Sequence, residues 1–110
     1  MKLNPAAESK AADLIRARQY VKDSDWSEAN PDADAENAYL EDHDWDAYAA
    51  WHLGLHEGHG DDTKARYGFP YGDFRRVHHA GLTAAKQRAA QQGYEEIEAA
   101  ADRLLGLMEG

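Results

Sequence analysis

Residues 23–63 of this 110-residue chain hold thirteen carboxylates and no Lys or Arg. Such a stretch cannot be buried, because unpaired carboxylates lose hydration that an apolar interior does not replace. Trp26, Tyr39, Trp45, Tyr48 and Trp51 lie within the same stretch, and large aromatic rings favour burial. Both demands are met by short helices lying on a core, with carboxylates outward. The stretch therefore reads as a folded, carboxylate-covered surface. With 43% hydrophobic residues the chain is too apolar to be a disordered acidic tail.

Charge elsewhere comes in blocks. Residues 1–22 and 64–88 are net basic, residues 89–110 are net acidic, and the whole sums to −9. A fold must either bring the acidic stretch against the chain's own basic segment or leave a strong dipole. Free duplex DNA does not suit the acidic part, since phosphate contacts need cations. Acidity that serves only solubility, as in salt-adapted cytoplasms, is the competing explanation. The length fits one domain, 1–110. There is no cysteine, which removes disulfides and thiolate sites and fits a reducing compartment. The N-terminus lacks a signal-peptide run and no stretch approaches ~20 apolar residues, so the expected location is the cytoplasm, with no membrane partner.

Helical signals dominate. Asn4-Pro5 and Asn30-Pro31 are start signals, predicting helices over Pro5–Val21 and Pro31–Leu40. Asp44 can cap a third helix with Trp45, Tyr48, Ala49 and His52 on one face, stopped by Gly54. Residues 55–60 read as a loop, and Asp61 or Asp62 as the cap of a short turn through Tyr67. Gly68-Phe69-Pro70-Tyr71-Gly72 reads as a rigid aromatic turn. Asp73 then caps a long helix, Phe74–Gln92, and Gly93 separates it from Tyr94–Met108. Residues 73–108 are thus a basic-then-acidic helical pair whose small residues permit a homodimer. No segment alternates with period two over strand length. The expectation is an all-α domain of about five helices.

The string Thr63-Lys64-Ala65-Arg66-Tyr67, Phe69-Pro70-Tyr71-Gly72-Asp73-Phe74, Val77-His78, Gly81-Leu82 and Ile97-Glu98-x-Ala100-Ala101 resembles a small uncharacterised bacterial helical domain. Segments of the form Thr-Lys-x-Arg-Tyr-x-x-Pro are similar to ones accompanying phage head-maturation proteases. The resemblance covers roughly residues 44–108. It implies a phage or mobile-element context and carries no catalytic residues.

His52, His56, Glu57 and His59 are ligand types that zinc or nickel accepts. The alternative is a loop and capping cluster with His52 packed on Trp45 and Tyr48. Arg75, Arg76, His79, Lys86 and Arg88 could form a phosphate or nucleic-acid patch, or face the acidic stretch of their own chain. Asp32-x-Asp34-x-Glu36 and Asp42-x-Asp44-x-Asp46 lack the glycine and distal glutamate of a calcium loop. Ser9, Ser24 and Ser27 lie outside any nucleophile elbow, and no residue set meets the tests for an active site. The leading expectation is a non-enzymatic interaction module docking a basic protein surface, in its most pointed form a DNA-mimicking inhibitor. Asp32, Asp34, Glu36, Asp42, Asp44 and Asp46 are its expected contacts, with Trp51 as apolar anchor.

Overall fold

The computed structural model describes residues 1–109, and its architecture is mixed α/β. This corrects the all-α expectation: the described residues include six α-helices and five short strands, the strands arranged in two sheets. The order is β1 (Lys2–Leu3), α1 (Pro5–Arg16), β2 (Tyr20–Val21), α2 (Trp26–Ala29), α3 (Ala33–Asp42), α4 (Trp45–Ala49) and β3 (His52–Leu55). A 3-10 turn (Lys64–Arg66) leads into β4 (Tyr67–Pro70), followed by β5 (Val77–His78), α5 (His79–Gln92) and α6 (Glu95–Glu109).

The first helix starts where the Asn-Pro signal places it but stops five residues early. Arg18 adopts φ 60°, and the amides of Arg18 and Gln19 bond back to the carbonyls of Ile15 and Leu14. This is a left-handed helix stop of the kind usually assigned to glycine. The freed chain then runs as β2, parallel to β5, with Tyr20 opposite Val77 and Val21 opposite His78. Asn4 occupies the cap position without capping. Its side-chain amide instead donates to the carbonyls of Ala49 (2.9 Å) and His52 (3.2 Å), tying the α4–β3 corner to the start of α1.

Gly54 does not end a helix. It lies mid-strand, opposite Leu3 of β1 and Gly68 of β4 in an antiparallel three-stranded sheet. A Cβ there would fall 2.5 Å from Met1 Sδ and 2.9 Å from the Phe69 ring, so the glycine permits a close approach. The segment expected as a rigid turn is therefore mostly strand β4. Asp73 caps a turn rather than a helix: its Oδ1 accepts the amides of Arg75 (3.0 Å) and Arg76 (2.8 Å), and α5 begins only at His79.

The core joins both sheets to three helices. Trp51, Leu53, Tyr71, Val77, Leu82 and Ile97 are buried together with Ala7, Ala11 and Ile15 of α1. The helices α5 and α6 form a hairpin at Gly93, which takes φ 77°. Ala85, Ala89, Ala100 and Ala101 are buried, so the small-residue stripe expected to permit a dimer is consumed within the chain. Trp26 lies over Gly81 of α5, where a Cβ would meet its ring at 2.9 Å. No helix among the described residues is long and apolar enough to cross a membrane.

Candidate interaction site

Three aspartates build the acidic face by capping its helices. Asp25 accepts from the Ser27 amide (3.0 Å), Asp32 from Ala35 (2.9 Å) and Asp44 from Ala47 (2.8 Å). Each cap also places negative charge at a helix N-terminus, where the dipole favours it. The Ser27 hydroxyl and amide hold the Asp25 carboxyl below its ordinary value. Glu36 faces inward: it accepts from the Tyr48 hydroxyl (3.1 Å) and lies 3.5 Å from Lys64 Nζ. Burial, with the Glu36 charge beside it, pushes the Tyr48 hydroxyl's pKa well up. Asp34, Asp42 and Asp46 are exposed. Among the described residues, Glu36 and Asp61 are the carboxylates of residues 23–63 that have an ion-pair partner, Asp61 through Arg66.

The residues of the expected basic patch do not pair with this face, nor do they form one patch. Because α5 begins at His79, Arg75 and Arg76 sit on the preceding turn and not on its helix. Lys86 pairs with Asp102 of α6 at 2.7 Å, and the Arg88 guanidinium lies 5.8 Å over the Phe69 ring. His79 lines a different hollow, with Lys22, Asp23, Met108 and Glu109.

Trp51 is 3% exposed, packed in the core and covered by Lys10, whose Nζ lies 5.3 Å over its ring, so it is not the exposed anchor expected. A helix through residue 52 would have turned it partly outward; the chain instead leaves the helix at Ala49. Its indole Nε1 donates to the Tyr39 hydroxyl (3.2 Å). Tyr39 is stacked between His43 (3.9 Å, 7°) and Phe74 (4.4 Å, 12°). These rings line an open groove of about 610 Å³ between α1 and α3. Phe74 reaches its place with φ 68°, an unfavourable conformation for a bulky residue.

The expected metal ligands are not gathered. His52 is buried in β3, its Nδ1–H donating to the Tyr48 carbonyl (2.9 Å), and burial lowers its pKa. His56 and His59 are exposed with ring centres 6.3 Å apart. Among the described residues no three His, Asp or Glu side chains come together to hold an ion.

One constellation had no counterpart in the sequence pattern. The Ser24 hydroxyl lies 2.7 Å from His78 Nδ1, and His78 Nε2 lies 2.9 Å from Asp73 Oδ2. These are the residue types of a hydrolase triad. Here, however, the Asp73 carboxylate also holds two turn amides, and Trp26 lies against the imidazole (5.8 Å, 48°). The arrangement clamps residues 22–26, the 73–76 turn and the start of α5 together. Residues separated by 54 positions in sequence leave no local signal. Compared with known proteins, the chain matches no family model, no curated protein and no solved structure.

Proposed function

We propose that the chain is a non-enzymatic, acidic protein-interaction module that works in the cytoplasm and docks a basic protein surface through α2, α3 and α4. The observation that carries this reading is the unpaired state of the face. Asp34, Asp42 and Asp46 have no ion-pair partner among the described residues, while Lys86, Arg103 and Arg16 pair with carboxylates elsewhere. Asp32 and Asp44 add exposed charge while capping. A face of one sign attracts an opposite one over about a Debye length and accelerates its docking.

The test uses a poly-lysine peptide, which probes charge alone. Binding weakens steeply from about 0.1 M salt, where the Debye length is ~10 Å, to about 1 M, where it is ~3 Å. Joint reversal of Asp34, Asp42 and Asp46 to lysine abolishes it, whereas reversal of Glu95, Glu96 and Asp102 on α6 leaves most of it. Salt-independent binding, or equal loss from both triple variants, overturns the reading.

A further inference from the structure

We infer that the groove between α1 and α3 receives an arginine side chain of the docked basic segment, and that Lys10 is the internal cation this arginine displaces. The inference rests on the docking reading above and assigns it a place and a preferred side chain. Helix α3 buries none of its ten residues. Its Ala35, Ala38, Tyr39 and Asp42, spaced i, i+3, i+4 and i+7, all line the groove. An amphipathic helix normally spends that stripe on the core; here the small residues leave space beside the Tyr39 ring instead.

The groove is aromatic, and it already holds a cation. Lys10 Nζ lies 5.3 Å over the Trp51 ring, and the His43–Tyr39–Phe74 stack stands beside it. Phe74 completes that stack from a left-handed backbone conformation, the kind of strain that persists where a binding surface needs a side chain placed. Asp42 stands on the α3 wall, one turn from Tyr39, with no hydrogen-bond partner among the described residues. A planar guanidinium stacks on an aromatic face and offers two parallel N–H groups to a carboxylate. An ammonium is a compact, strongly hydrated charge and does neither. The volume, about 610 Å³, leaves room for a guanidinium and its methylene stem. Asp73 and Arg75 also line the groove, so its charged lining is mixed and Asp42 is the carboxylate there without a bonded partner among the described residues.

The experiment compares two fluorescein-labelled peptides of equal length, one alternating Arg with Ala and one alternating Lys with Ala, by anisotropy. The arginine peptide binds more tightly. Lys10→Ala uncovers the Trp51 face and tightens the arginine peptide by about two- to fivefold, the range of one exposed cation–π contact. A variant that merely damaged the fold would not gain affinity. Asp42→Asn weakens the arginine peptide by about two- to fivefold more than it weakens the lysine one. Equal binding of both peptides to the wild type, or a Lys10→Ala variant with unchanged or weaker binding, overturns the groove assignment and leaves the acidic-face reading standing. No binding of either peptide overturns both.

Discussion

His78 Nε2 and Asp73 Oδ2 meet at 2.9 Å, and the imidazole between them and Ser24 is 5% exposed. In the neutral ring Nε2–H donates to the carboxylate and Nδ1 accepts the Ser24 hydroxyl. Asp73 therefore serves three donors: His78 and the amides of Arg75 and Arg76. Partial burial pushes its carboxyl up, but the hydrogen bonds from Arg76, His78 and Arg75 outweigh burial and the net shift is downward. Replacing it leaves a buried imidazole N–H and two turn amides without their acceptor. Asp73→Ala is expected to destabilise the fold by about 1–3 kcal/mol, read from urea midpoints.

The same carboxylate sets an acid dependence. With a folded pKa below the ordinary 3.8, its contribution is complete above that value and fades as the pH falls through the lower folded one. The gap between wild type and Asp73→Asn should therefore narrow between pH 5 and pH 3, taken as about the span of the linkage. A constant gap across that window would contradict the assignment.

Gly81 and Gly106 make opposite predictions although both lie inside helices. A Cβ at Gly81 would meet the Tyr71 carbonyl at 2.8 Å and the Trp26 ring at 2.9 Å. The backbone oxygen cannot yield, so Gly81→Ala costs about 1–3 kcal/mol and pushes Trp26 outward, with a red-shifted emission. At Gly106 nothing lies within 4 Å. Gly106→Ala should stabilise α6 by about 0.5–1 kcal/mol through backbone entropy alone.

The starts of α1 and α4 were legible because their signals, Asn4-Pro5 and the capping Asp44, are local. Asn30-Pro31 did not open α3, which begins at Ala33 with Asp32 as its cap. The strands were not legible, for reasons that particular residues make plain. In β3, His52, Leu53 and Gly54 are all buried, so the polar alternation that marks a half-exposed strand is missing. Gly54 carries two meanings in sequence, a helix stop or a close approach, and only the Met1 and Phe69 contacts decide between them. Two-residue strands such as β2 hold no period at all. The acidic face was readable as a surface, since charge patterning needs no tertiary knowledge. Its aromatic member was misassigned, because α4 ends at Ala49 and not beyond residue 52, and that early end turns Trp51 inward.

The end of α1 supplies a further case. Nothing in Ile15-Arg16-Ala17-Arg18 breaks a helix, yet Arg18 takes the left-handed stop at φ 60°. A non-glycine residue there carries strain of order 1–2 kcal/mol. Arg18 is exposed, so little is lost with its side chain. Arg18→Gly should raise stability by about 0.5–1 kcal/mol, part of the relief being offset by the looser unfolded chain. A lower melting temperature would mean that the guanidinium contributes more than its exposure implies.

His52 gives the fold a second pH dependence, of physiological range. Burial lowers its pKa, against weaker raising effects of the Tyr48 carbonyl and the Glu36 charge. The folded state thus favours the neutral ring. Below the ordinary 6.5 the unfolded chain takes up a proton that the folded chain refuses. Stability is complete above that value and falls as the pH drops toward the lower folded one. His52→Phe removes this uptake while keeping a ring among Tyr48, Tyr67 and Phe74. Its urea midpoint should change less than the wild type's between about pH 7.5 and about pH 5.5, even if the variant starts lower for want of the Tyr48 hydrogen bond.

Stability and binding should respond oppositely to charge on α3. Glu41 lies in its last turn, where a negative charge opposes the helix dipole. It also adjoins Asp42 and Asp44, so the like charges repel across exposed surface. Glu41→Lys reverses both effects and should stabilise the fold by about 0.3–1 kcal/mol at low salt, a gain that shrinks as salt is added. The same change removes a carboxylate from the acidic face and sets a cation beside it, so on the proposed docking poly-lysine binding should fall while the melting temperature rises. A sequence selected only for stability would place Lys or Arg at this position. Retaining thirteen carboxylates without a base over residues 23–63 is, on the proposed docking, a cost in self-repulsion that a bound basic partner would offset. A Glu41→Lys variant that gains stability without losing affinity would reduce the acidity to a device for solubility.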